Sequence, residues 1–360
     1  MNLTALGEKR RSAGGCGSRI PNLLFQCLAI ALFLCFAQSH LSAQTGPYKI
    51  IEHWPLNGAS GWRSMVEDQV SHVLYVVRND RITLLDTSKG TVIGEIPGLS
   101  DGRSVALDAD GKLGYVSDGV TGDLHIFDRV TRKLMSTIVI GGTPDEVIFE
   151  PVTNQIFVFN THTLAASVID AKSRQLIGSI ALSARPASAI ADGKGSVFVN
   201  LNDTNQISRL DAAGLKVRST WSISPCKGPT GITIDDEQLF SVCENRLLVI
   251  SDATTMKVAS SAAIGEGARG VAFDRTNKLV FTSNGEGSLT VLEHPGPDSL
   301  SVVQILKTQP GSRLLALDSA SGHLYLAAAH FGQQPGPTSE ELEFRPTISP
   351  GSVEIFVVGR

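Results

Sequence analysis

The chain has 360 residues, 31 Lys and Arg against 35 Asp and Glu, 35 glycines, and only 6% aromatic residues. That balance argues against a protein that binds nucleic acid through overall charge. The glycine content, together with the lack of useful 3.6-residue periodicity beyond the first 44 residues, argues against a helical bundle and for many short strands joined by turns.

The first 44 residues are a different material. Lys9, Arg10, Arg11 and Arg19 form a basic start, residues 23–37 (LLFQCLAIALFLCFA) an apolar run, and residues 41–43 (LSA) a small-residue cleavage site. Residues 1–44 therefore read as a secretory signal peptide, with an uncleaved anchor as the alternative. The apolar run is short for a span, which needs about 20 residues. The expected location is periplasmic or secreted, with no membrane segment after cleavage. Removal of the leader leaves 27 basic against 34 acidic side chains, a net charge of −7.

The strand pattern begins at residues 48–54 (YKIIEHW), a strand without a blade of its own. A phrase then recurs at roughly 40-residue spacing, the period of a β-propeller blade. Its plainest copy is residues 270–293, GVAFDRTNKLVFTSNGEGSLTVLE: three short strands separated by the turns RTN and SNGEG. First strands end or begin at residues 65–68, 105–108, 147–150, 189–192, 232, 271 and 315–318. Fourth strands follow at 92–96, 134–140, 176–180, 217–223, 258–264 and 302–306. The seventh unit ends its third strand, 353–358, at the C-terminus and has no fourth. The orphan strand at 48–54 fits that vacancy. The expectation is an all-β, seven-bladed propeller over residues 45–360, closed by its N-terminal strand, which also removes an exposed sheet edge.

Cys226 and Cys243 are the two cysteines beyond the leader. Antiparallel pairing about the turn at Asp236 and Glu237 places Cys243 opposite Thr230, with Cys226 four residues earlier. A disulfide is geometrically reasonable there in an exported chain; two buried thiols are the alternative.

In a propeller the loops entering the first strands gather at one mouth of the central channel. The residues two positions before each first strand are Arg63, Arg103, Asp145, Ala187, Thr230, Arg269 and Arg313. If the ring closes, its four arginines form one contiguous half. Converging guanidinium groups fork onto carboxylate or phosphate. The competing reading pairs each arginine with an acid such as Asp68, Asp101, Asp118, Glu266 or Glu286. Asn284 and His330, on loops between second and third strands, are expected at the same mouth and join the arginines as candidate ligand-binding residues. Trp62, beside Arg63, could stack on a base. The long stretch 330–351, with Pro335, Pro337, Pro346 and Pro350, is expected to cover part of the mouth, anchored by Phe331 and Phe344.

Catalytic signatures are missing: no CxxCH, GxSxG, HExxH or CxxC occurs. No catalytic residue, cofactor or metal is assigned, and the acids Asp108, Asp274 and Asp318 read as turn-formers.

The strands LYVV (74–77), GYVS (114–117) and LYLA (324–327), and the stretches PTGITIDDEQLFSVCENRLLVISDA and 270–293, resemble the YVTN-repeat, YncE-like exported propellers of bacteria. The resemblance covers residues 48–360, although the literal Tyr-Val-Thr-Asn tetrad is absent. It implies a periplasmic or secreted protein, and single-stranded DNA binding occurs in the wider family. Related propellers include lactonases, for which Glu244, Asn245, Asn284 and Asp118 would be the mouth groups. The reading that follows is a monomeric binding protein for an anionic small molecule or an extended protein partner. Lactone hydrolysis and single-stranded DNA binding are the alternatives.

Overall fold

The computed structural model describes residues 47–56, 58, 61–296, 298–332 and 348–360. The expected leader, 1–44, lies outside the described residues, as do Pro335, Pro337, Phe344 and Pro346. Among the described residues 28 strands form seven four-stranded antiparallel sheets, and there is no helix. The innermost strands of blades one to seven are Trp62–Asp68, Gly102–Leu107, Pro144–Glu150, Pro186–Ala191, Pro229–Asp235, Ala268–Asp274 and Leu315–Leu317. In blades one to six the strands follow chain order from the inside outwards.

Blade seven is completed by the N-terminus, as its missing strand required. Lys49–Pro55 is its outermost strand and runs antiparallel to Glu354–Gly359, with Trp54 opposite Ile355. Innermost strands of neighbouring blades pack side by side all the way round, including blade seven against blades six and one. The ring is therefore closed, and Arg313 and Arg63 belong to adjacent blades.

The apolar residues explain why the sheets stack. Among the described residues seven core clusters form, and each joins two neighbouring blades. A blade buried on both faces needs continuous apolar strands, and the second strands supply them, for example VLYVVR in blade one and QIFVFN in blade three. Tyr75, Tyr115 and Tyr325 of the recurring phrase are buried there. At the closing interface Trp54, 6% exposed, packs on Tyr325 with ring centroids 5.3 Å apart. Tyr48 meets Phe281 of blade six edge-on at 5.1 Å.

The acids ending first strands do form turns. Asp108 accepts from the Lys112 and Leu113 amides, Asp274 from Asn277, and Asp318 from Ala320 and Ser321.

One detail of register differs from expectation. In blades one to six the innermost strand carries a β-bulge at its start, between Trp62 and Ser64, Gly102 and Val105, Pro144 and Val147, Pro186 and Ala189, Pro229 and Gly231, and Ala268 and Gly270. The extra residue shifts the ladder, so Cys243 lies opposite Pro229 and not Thr230. Cys226 and Cys243 are joined as a disulfide, with Cα atoms 5.5 Å apart.

Candidate functional site

The bulges build the site. A bulge leaves a residue out of the ladder and re-aims its side chain. Arg63, Thr230 and Arg269 lie between the shifted pairs, as do Arg103 with Ser104, Asp145 with Glu146, and Ala187 with Ser188. Neighbouring blades then fix one another's entry. Gly270 N donates to the Arg313 carbonyl at 2.7 Å, the Thr230 hydroxyl to the Ala268 carbonyl at 2.7 Å, and the Ser117 hydroxyl to the Asp145 carbonyl at 2.5 Å. Gly231 is required at its position, because a Cβ there would run into the Arg269 carbonyl oxygen.

Two connected cavities result. The outer one, about 100 Å³, is lined by Trp62, Arg63, Arg103, Asp145, Arg269, Arg313 and Leu314. It shares Arg63, Arg103, Asp145 and Arg269 with an inner lumen of about 280 Å³ that runs down between the first strands. All four ring arginines thus meet at one mouth, with Asp145 across from them and Trp62 at the edge.

Among the five acids considered as partners, only Asp101 reaches ring arginines. It is 7% exposed and lies 3.4 Å from the Arg63 guanidinium and 2.5 Å from that of Arg103. Asp68 pairs with Arg129, and Glu266 with Arg246. Asp118 accepts backbone amides of Ser100, Asp101, Val120 and Thr121, and Glu286 accepts the Ser288 hydroxyl. Among the described residues no carboxylate lies within 4 Å of Arg269 or Arg313. Arg313 offers surface to the mouth yet is ringed by protein. That desolvation first, then the Arg269 and Arg63 charges, lowers its pKa. The arginine half of the mouth is therefore only partly neutralised. An incoming anion would relieve the repulsion and receive charge-assisted hydrogen bonds.

The structure does not bring Asn284 or His330 into this group. Asn284 is fully buried in blade six, where its amide donates to Ser288 and Thr290 and its carbonyl accepts from Thr282. Its amide finds hydroxyl partners inside its own sheet, so it holds the blade together. His330 is exposed and faces Gln309, with Nδ1 3.3 Å from the amide nitrogen, and lines neither cavity. Glu244 sits on the rim, accepting from Asn202, also outside both cavities. Phe331 forms an isolated bridge with Ile348, and its ring lies against Gly311.

Glu146 is a channel residue that the spacing argument missed. Strict alternation turns it away from Asp145, but the bulge puts both on the lumen. It has some solvent contact through the lumen while protein surrounds it. Desolvation first and Asp145 second push its pKa up to about 8, opposed by Arg269. At neutral pH it is mostly a neutral hydrogen-bond donor.

No protein-family model and no curated protein matches this chain. Among solved structures it is similar to a chain of Kuenenia stuttgartiensis hydrazine synthase, at 17% identity and a TM-score of 0.67, covering 75% of this chain and 93% of that one. The WD40 repeats of RRP9 give 14% identity and a TM-score of 0.70, covering 88% and 98%. The U3-55K structure gives 14% and 0.69, covering 85% and 97%. At such identities the likeness establishes the propeller fold and nothing about chemistry.

Proposed function

We propose that the protein is an exported propeller that binds an anionic ligand at its channel mouth, between Arg269, Arg313, Arg63 and Arg103. The observation that carries this reading is the pair Arg269 and Arg313: both line the outer cavity, and neither has a carboxylate partner among the described residues. A cavity of about 100 Å³ suits a phosphate group, a small dicarboxylate or the carboxylate end of an extended chain. Asp145 favours a ligand that also carries a hydrogen-bond donor. The leader-like N-terminus and the resemblance to YncE-like proteins support a periplasmic or secreted location, and the protein acts as a monomer.

Titration calorimetry with phosphate and with C4 and C5 dicarboxylates tests this. One of them should bind in a salt-sensitive way, and the double variant Arg269→Ala with Arg313→Ala should lose at least about 100-fold, two charge-assisted contacts at about 1.5 kcal/mol each. Silence with every anion, or undiminished binding in the variant, rejects the site.

Trp62 beside Arg63 supports a second reading, single-stranded nucleic acid stacked at the mouth. Oligonucleotide retention that falls steeply with salt and depends on Trp62 would select it. Hydrolysis of a lactone is not proposed, because Glu244 stands outside the channel.

A further inference from the structure

The opposite end of the first strands carries a second constellation, at the seam where blade seven meets blade one. Glu67 is the penultimate residue of the innermost strand of blade one, His72 closes the turn after that strand, and Asp318 follows the innermost strand of blade seven. One ligand atom from each of the three lies within 4.8 Å of the others. We propose that Glu67, His72 and Asp318 form a divalent metal site, with zinc as the fitting ion, that clasps blade seven to blade one.

Four observations carry this. Two carboxylates are buried side by side, Glu67 8% and Asp318 6% exposed, and neither has an ion-pair partner among the described residues. The neighbouring Asp68 is spoken for by Arg129 and Ser71. Glu67 Oε2 accepts from Gln69, but Oε1 is buried and has no hydrogen-bond partner. A buried, unpaired carboxylate oxygen is costly, and a cation answers both the orphan and the like-charge contact.

The surroundings orient the donors. Ala320 and Ser321 amides hold Asp318 Oδ1, and the Ser321 hydroxyl holds Oδ2 at 2.6 Å. Gln69 ties the two blades, donating to the Leu317 carbonyl and accepting from the Ser319 amide, both at 2.9 Å. His72 is fixed through its backbone, at φ 54° with its carbonyl held by Thr87, while its imidazole is exposed. A cavity of about 260 Å³ bordered by His72 and Asp318 gives an ion a way in. Two carboxylates and an imidazole are a zinc donor set, and ligand atoms on a tetrahedral zinc sit about 3.4 Å apart, so a small swing of the exposed imidazole completes it. Bound only in the folded state, the ion would stabilise the ring at its closing interface.

The test takes chelator-stripped full-length protein and adds zinc chloride in calorimetry and thermal unfolding. One equivalent should bind, raising Tm by roughly 5 °C at a hundredfold excess over Kd. His72→Ala removes an exposed side chain and leaves the fold intact; it and Asp318→Asn should each weaken zinc binding at least about 100-fold, the upper end for losing a supporting contact. If Asp318→Asn fails to fold, His72→Ala decides alone. No zinc uptake, or uptake and Tm rise unchanged in His72→Ala, overturns the site. These outcomes are independent of the arginine mouth, which lies at the other end of the channel.

Discussion

Replacing Glu146 by glutamine keeps the side chain's shape and removes its ionisation. In the folded protein the proton is held to about pH 8, against 4.5 for an ordinary glutamate. Between those values the unfolded chain has released the proton and the folded chain has kept it. The unfolded state then binds fewer protons, so stability falls as pH rises through the window and levels off above 8. At about 1.4 kcal/mol per pH unit the full interval sets a ceiling of about 5 kcal/mol. Glu146 retains solvent contact through the lumen, and screening there reduces the effect to about 2 kcal/mol. Urea unfolding of both proteins at pH 5, 7 and 9 measures it. Glu146→Gln should gain about 2 kcal/mol on the wild type between pH 5 and 9. Glu67, raised to about 7 chiefly by burial, is present in both proteins and cancels. Parallel pH profiles, or a variant that loses ground on the wild type between pH 5 and 9, would refute the desolvated channel acid.

Three further outcomes follow from the same geometry. Trp54→Ala removes a buried indole from the closing interface and should cost about 3 to 4 kcal/mol in chemical denaturation; a loss under about 1 kcal/mol would mean that the N-terminal strand does not seal the ring. Loss of the disulfide through Cys226→Ala with Cys243→Ala opens a loop of sequence separation 17 and should cost about 3 kcal/mol, with an unchanged midpoint contradicting it. Asp101→Asn takes away the counter-charge of Arg63 and Arg103 and should tighten anion binding about tenfold in calorimetry, one charge at about 1.4 kcal/mol; weaker binding would show that Asp101 orients those arginines more than it neutralises them.

Blade number, closure and the arginine ring were legible because each rests on period. Apolar strands about 40 residues apart count the blades, and a fixed offset from each first strand finds Arg63, Arg103, Asp145, Arg269 and Arg313. Two of the misses, the partner of Cys243 and the lumen position of Glu146, share a physical cause. A bulge adds one residue, which breaks the alternation on which any offset depends. It moved Cys243 from Thr230 to Pro229 and brought Glu146 onto the lumen. Asn284 shows a different limit: it ends the second strand of blade six and does not stand on the loop after it, and hydroxyl partners in its own blade draw the amide inwards. Glu67 and Asp318 are some 250 residues apart, and only closure of the ring makes them neighbours. Asp318 was readable as a turn-former, a role it does fill, but nothing local marks its second neighbour.

The most direct test of the arginine mouth is a crystal structure of the protein purified from its native compartment, without added anions, beside one soaked with the tightest-binding anion from calorimetry. An anionic group held within hydrogen-bond distance of both the Arg269 and Arg313 guanidinium groups is the predicted result. A mouth in which those two arginines turn away to protein carboxylates, with the soaked anion bound elsewhere, would contradict it.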